Sequence, residues 1–168
     1  GVARAGDGLA AQGAGGDRSR AFAMMRDPRR GTTGLVALGV VLVVKLAFLA
    51  ALPTDSGRIL VLAGVLGRWA SAFALSAFPL ASVSASDALV GRGLADAGPN
   101  EFLAATVLAI ACAALLPLRG LLTLFGVALV VGSLAAWVNR RLGGFSVPLS
   151  HALGEIGEIV ALACLALR

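Results

Sequence analysis

Charge is scarce in this chain. Only 14% of its 168 residues are Asp, Glu, Lys or Arg, 58% are apolar, and mean hydropathy is +0.91. Soluble domains run to about 25% charged and 45–50% apolar. The shortfall excludes an ordinary soluble domain and leaves an integral membrane protein. Cysteine is scarcer still: Cys112 and Cys164 both lie inside apolar stretches, where a free thiol behaves as a small hydrophobe. Neither a disulfide framework nor a thiolate metal site is expected. Histidine occurs once, at His151, and reads as an interfacial residue rather than a ligand. No internal repeat is visible. The first thirty or so residues are polar and arginine-bearing, without the short apolar core of a signal peptide. The chain opens at Gly1 rather than Met, which reads as a fragment or a trimmed product. Basic residues outnumber acidic ones by 14 to 9, but their placement is that of a membrane protein, so no nucleic-acid partner is expected.

What the chain has is long apolar runs. A helix rising 1.5 Å per residue needs about 20 mostly apolar residues to cross a core of about 30 Å. Five stretches are candidates: 34–52, 59–81, 102–117, 120–138 and 151–167, the third and fifth near the short limit. Unpaired backbone groups are costly in lipid, so each is expected to be helical, and the fold class is an all-α polytopic bundle. Residues 1–33 form a polar segment ahead of that bundle, which occupies 34–168. Ala105, Ala109 and Ala113 repeat every four residues, as do Ala128, Gly132 and Ala136, giving two faces on which helix backbones can approach closely. With the N-terminal segment in the cytoplasm, nine arginines (Arg4, Arg18, Arg20, Arg26, Arg29, Arg30, Arg92, Arg140 and Arg141) lie inside and three (Arg58, Arg119 and Arg168) outside. That asymmetry sets the expected orientation in a bacterial inner membrane.

Four charges fall within the spans: Lys45, Arg68, Glu155 and Glu158. Each costs at least about 2.5–3.5 kcal/mol at the bilayer centre, which makes each a functional candidate. Glu155 and Glu158 are three apart, share a helix face, and on these bounds fall within the first two turns of the last span. Two bases and two acids also suit a structural account, in which buried pairs neutralise one another and fix helix register.

The segment Asp7-Gly8-Leu9-Ala10, followed by Met24-Met25-Arg26-Asp27-Pro28-Arg29-Arg30-Gly31-Thr32-Thr33-Gly34, resembles the cobalamin synthase family, the adenosylcobinamide-GDP ribazoletransferases. Lys45 falls where that family carries an intramembrane lysine. Gly67-Arg68-Trp69-Ala70 is similar to its G-R-W-A stretch, with Phe78-Pro79 following. Arg141-Leu142-Gly143-Gly144-Phe145-Ser146, then Glu155 and Glu158, is similar to its closing segment. The resemblance covers nearly the whole chain, which corresponds to roughly the C-terminal two-thirds of a usual member. It implies a magnesium-dependent transfer in which cobinamide phosphate leaves a GDP activating group for the hydroxyl of alpha-ribazole or its 5′-phosphate, with release of GMP. It further implies Asp7 and Asp27 as catalytic metal ligands, Arg26, Arg30, Lys45 and Arg68 as phosphate holders, and Glu155 and Glu158 as further catalytic carboxylates. The expected partners are adenosylcobinamide-GDP and alpha-ribazole, the surrounding lipid and, as an open alternative, a second copy of the chain.

The sequence also departs from that pattern. The second and third motif aspartates are replaced by Ala11 and Ala14, the preceding histidine by Ala5, and a later Gly-Asp pair by Val147-Pro148. Alanine cannot ligate magnesium. Asp17 lies ten residues beyond Asp7, on a different side of a regular helix. Simple structural roles stand beside the functional ones: Arg26, Arg29 and Arg30 as the anchor of the first span, and Asp27-Pro28 as the end of one helix before the next. Two readings stay open: a membrane transferase, or a non-catalytic relative that binds corrinoid intermediates or partner enzymes. A transporter rests only on the intramembrane charges.

Overall fold

Apolar runs that would strand backbone N–H and C=O groups in lipid fold here as helices, which satisfy those groups internally. The structure is a computed structural model that describes residues 1–13, 17–29, 31–53, 56–79, 99–116 and 118–166. Seven helices occur among the described residues: α1 (Val2–Gly13), α2 (Arg18–Arg26), α3 (Thr32–Ala50), α4 (Gly57–Ala77), α5 (Pro99–Ala114), α6 (Arg119–Leu142) and α7 (Val147–Ala166). Four of them, α3, α4, α6 and α7, are long and apolar enough to cross a membrane. The 16 residues of α5 are apolar but rise only about 24 Å, short of a full hydrocarbon core.

Local chemistry sets the boundaries. Pro99 opens α5, where a missing N–H costs nothing. Gly143, at φ 73°, closes α6 in the left-handed conformation, and its N–H donates to Asn139 O at 2.7 Å. Helix α7 starts at Val147, four residues ahead of the stretch marked by apolar character, because Pro148 fits the first turn of a helix. The glutamates therefore lie deeper than the sequence bounds put them. Glu155 falls in the third turn and Glu158 in the fourth, about 12 and 16 Å from the start of α7.

The bundle has two apolar centres. One joins Leu62, Leu66 and Ala70 of α4 to Ala109 and Ala113 of α5, Val127 and Val131 of α6, and Ala161 and Leu162 of α7. The other joins the α1–α2 pair, through Ala5, Ala21, Phe22 and Met25, to Ala74 of α4, Val138 and Leu142 of α6, and Leu149 and Leu153 of α7. The polar N-terminal segment is thus folded against one end of the bundle. Here the start of α7 meets the ends of α4 and α6, and the start of α3 is held by α1.

Of the two small-residue faces, Ala109 and Ala113 are buried, with Ala105 packed against the same core. The other is displaced by one position: α6 buries Val127, Val131, Ala135 and Val138, while a Cβ on Gly132 would meet nothing within 4 Å. The tightest seam is between α4 and α7. A Cβ on Gly67 would lie 3.0 Å from Gly154 O, one on Gly154 would fall on Ser71 Oγ, and one on Gly157 would lie 2.8 Å from the Ala70 Cβ. Close backbone approach of this kind supplies the dispersion energy that holds membrane helices together.

Candidate active site

The segments that carry the family resemblance are far apart in sequence, and the fold gathers them at two depths. The shallower group surrounds the α1–α2 pair. Asp7 is buried on α1 and accepts from Gly31 N at 2.9 Å and Gly34 N at 2.7 Å, one bond to each carboxylate oxygen. Gly31 is the N-cap of α3 and has no side chain to cap with, so Asp7 supplies the acceptor from another helix. A Cβ at Gly31 or Gly34 would collide with the Asp7 carboxylate, so glycine is needed at both positions for this reach. Asp27 is the C-cap of α2, its N–H donating to Ala23 O, and its Oδ1 accepts from Arg29 N at 2.7 Å. Asp27-Pro28 therefore ends one helix ahead of the next. Arg26 is exposed at the last position of α2; Arg30, like Ala14 and Arg92, lies outside the described residues.

Other matched segments close around this group. Ser146 Oγ donates to Met25 Sδ at 3.3 Å, Phe145 N donates to Pro79 O at 2.9 Å, and the Phe78 and Phe145 rings stack at 5.2 Å. Asp17 does not continue the helix of Asp7, since α1 ends at Gly13. It is the N-cap of α2 instead, accepting from Arg18 N at 2.6 Å and Ser19 Oγ at 2.9 Å. The regular helix assumed from Asp7 to Asp17 is corrected on this point. Sequence reasoning missed Arg4, whose Nε is buried with no hydrogen-bond partner among the described residues, as is Asn139 Oδ1. The only available signal was the position of Arg4 one turn before Gly8 in a matched segment.

The deeper group lies about 16 Å further along α3. Lys45 Nζ is 3.0 Å from Glu155 Oε2 and 3.0 Å from Glu158 Oε1, and Arg68 Nη2 is 3.8 Å from Glu155 Oε1. All four intramembrane charges meet, from three helices. Glu155 and Glu158 lie a turn apart on one face of α7, so Lys45 sits between them; this is the neutralising arrangement that the charge balance suggested. The four are not equally engaged. Lys45 and Glu158 have 22% and 18% of their side-chain surface exposed, whereas Arg68 has 67% and forms no hydrogen bond among the described residues.

Magnesium fits this donor set poorly. A hard divalent cation takes about six oxygen ligands, and no group of three His, Cys, Asp or Glu side chains is placed to hold one among the described residues. Both oxygens of Asp7 already accept backbone hydrogen bonds, and Ala11 stands on α1 where a second carboxylate is expected. The described residues do not make a resident magnesium site by themselves.

Comparison with known proteins agrees with the residue pattern. The sequence profile of a family described as cobalamin-5-phosphate synthase matches residues 1–166. Among curated proteins, the adenosylcobinamide-GDP ribazoletransferase of Roseiflexus sp. (strain RS-1) is 39% identical over 152 residues, covering 89% of this chain and 55% of that protein. The proteins of the same name from Desulforamulus reducens and Pseudomonas savastanoi pv. phaseolicola are 33% and 38% identical, covering 83% and 90% of this chain and 55% and 62% of their own lengths. The chain thus spans less than two-thirds of these relatives. No solved structure matches it.

Proposed function

Because the chain belongs to the cobalamin-5-phosphate synthase family, we propose that it acts as an adenosylcobinamide-GDP ribazoletransferase of a bacterial inner membrane, with the α1–α2 end in the cytoplasm. In this reading a hydroxyl oxygen of alpha-ribazole, or of its 5′-phosphate, attacks the phosphorus attached to cobinamide. The bond from that phosphorus to GMP breaks, and GMP departs with the electron pair. The reaction needs cations to hold the pyrophosphate and a carboxylate to receive the hydroxyl proton. Arg26 and Arg30 receive the anionic substrate at the hydrated end, Lys45 and Arg68 supply positive charge at depth, and Glu155 or Glu158 accepts the proton. Asp27 orders the α2–α3 connection beside these arginines. The supporting observation is the convergence of Lys45, Arg68, Glu155 and Glu158 from three helices at mid-bundle, since charges in a membrane interior are retained where they serve a pathway or a site.

The test is GMP release and cobalamin formation from adenosylcobinamide-GDP and alpha-ribazole by the purified protein in magnesium-containing detergent buffer, beside a Glu155→Gln/Glu158→Gln variant. Turnover that the variant loses by 100-fold or more supports the reading. Absence of product from folded wild-type protein favours the other: a relative that keeps the bundle and binds corrinoid intermediates or partner enzymes. That second reading rests on Ala11, Ala14 and Pro148 standing where the family's carboxylates are expected.

A further inference from the structure

Helix α6 keeps one side exposed among the described residues. Leu122, Phe125, Leu129, Trp137 and Arg140 share that side, opposite the one on which Val127, Val131, Ala135, Val138 and Leu142 are buried. In a membrane span it is the side that meets lipid. Its apolar character ends at Trp137, and the Arg141 guanidinium lies 4.9 Å from the centre of that ring. Arg140 and Arg141 follow in the last turn, both exposed. From Leu129 to Trp137 the helix rises about 12 Å, most of one leaflet's half of a core about 30 Å thick, so the two arginines stand at the depth of phosphate groups.

A third guanidinium joins them from another helix. A Cβ on Gly143, the C-cap of α6, would lie 2.8 Å from Arg18 Nη1 of α2. The Arg18 side chain thus lies against the end of the turn that carries Arg140 and Arg141, while Gln12 Nε2 of α1 donates to Arg141 O at 3.0 Å. The C-terminal end of a helix carries about half a negative charge, which offsets only a fraction of three guanidinium charges. The carboxylates of this end are engaged elsewhere: Asp7 by Gly31 and Gly34 N–H, Asp17 by Arg18 N–H and Ser19 Oγ, and Asp27 by Arg29 N–H. Arg18, Arg140 and Arg141 form no ion pair among the described residues.

We propose that Arg18, Arg140, Arg141 and Trp137 bind the headgroup of an anionic phospholipid whose chains lie along Leu129 and Phe125. Guanidinium groups present paired donors to phosphate oxygens, and the amphipathic ring of Trp137 meets the glycerol region. A zwitterionic headgroup brings its own ammonium, which three arginines repel. A soluble phosphate would satisfy the arginines but leave the ring and the apolar stripe leading to them without a role. Because Arg18 belongs to α2 and the other two arginines to α6, one headgroup ties the N-terminal helix pair to the bundle. The docking of α1 and α2 thereby becomes sensitive to the charge of the bilayer.

The test uses the full chain in nanodiscs and needs no turnover. Trp137 fluorescence is quenched with dibrominated phosphatidylglycerol or dibrominated phosphatidylcholine, and the signal of the buried Trp69, measured in a Trp137→Phe variant, is subtracted. Phosphatidylglycerol is expected to bind beside Trp137 at least threefold more tightly than phosphatidylcholine. Arg18→Gln/Arg140→Gln, which leaves Arg141 on the ring, should bring that ratio to about one. Arg18→Lys/Arg140→Lys keeps the charge and should retain most of the preference, which separates loss of the headgroup contact from loss of the fold. Arg20→Gln/Arg29→Gln removes as much charge from the same end and should leave most of the preference in place. Equal binding of the two lipids by the wild type overturns the proposal. So does an equal loss in the two glutamine variants, which would reduce the preference to the diffuse potential of a basic surface. If glycerol 3-phosphate shifts Trp137 emission in phosphatidylcholine nanodiscs, and does so only with Arg18 and Arg140 present, while the lipid ratio stays at one, the occupant is a soluble phosphate and the lipid proposal fails.

Discussion

Asp7 reaches from α1 to the first turn of α3 and satisfies two N–H groups that a glycine N-cap leaves without a partner. Removing a buried acceptor of this kind costs about 1–3 kcal/mol, because the donors are left dry. Asp7→Ala is expected to lower the thermal midpoint in detergent by several degrees. Asp7→Asn, which keeps one acceptor oxygen, should lose less. Magnesium without substrate should not raise the midpoint of either the wild type or Asp7→Ala by more than about 1 °C, since an ion that does not bind the folded state cannot stabilise it. A magnesium-dependent rise confined to the wild type would return Asp7 to the role of metal ligand. The sequence marked Asp7 as special, but its partners are backbone groups, which no side-chain pattern reveals. Only Gly31 and Gly34, flanking two threonines, hinted that something must approach closely. For Lys45 and the glutamates the reverse holds: four charges inside apolar runs carry their own signal, and balancing signs predicted that they meet. Lys45→Met leaves two carboxylates in the membrane without their cation and should destabilise by about 3–5 kcal/mol in denaturant titrations. The triple change Lys45→Met/Glu155→Gln/Glu158→Gln should recover most of that loss while abolishing any site.

At the scale of the helix, existence and type were legible because length and hydropathy alone decide them, whereas faces were not. Each of the five apolar runs is a helix, although α6 is 24 residues long and extends through Asn139, Arg140 and Arg141 beyond its apolar stretch. Polar residues at a helix end still take part in its hydrogen-bond ladder, so an apolar run understates the helix. The choice of face depends on which neighbour is near, and spacing within one helix cannot supply that. Ala128-Gly132-Ala136 looks like a seam but is not one, while Gly67, Gly154 and Gly157 form a seam across two helices more than eighty residues apart. The contrast can be measured. Gly154→Ala places a methyl group on Ser71 Oγ and within 2.9 Å of Gly67 O, and overpacking of this kind costs about 1–3 kcal/mol. Gly132→Ala adds a methyl group in open space and should be neutral or slightly stabilising through helix propensity. Equal effects of the two substitutions on the unfolding midpoint would contradict the α4–α7 seam.

For the whole molecule, the fold turns a linear charge pattern into two ends. The α1–α2 pair, the ends of α4 and α6 and the start of α7 share one apolar centre, and Asp7 of α1 holds the start of α3, so Arg18, Arg20, Arg26, Arg29, Arg140 and Arg141 all belong to that end. Arg58 and Arg119 begin α4 and α6 at the other. Trp137, 45% exposed with the Arg141 guanidinium 4.9 Å from its ring, sits one turn inside the basic end, the level at which an amphipathic ring meets headgroups. The basic end is therefore proposed to face the cytoplasm. Cysteines at Ser19 and at Arg58, in a background lacking Cys112 and Cys164, report this directly. Both positions are exposed in α2 and at the start of α4. In intact cells an impermeant maleimide is expected to label the Arg58→Cys protein and spare the Ser19→Cys protein, with both labelled after lysis. The opposite pattern would invert the orientation and place the basic end outside.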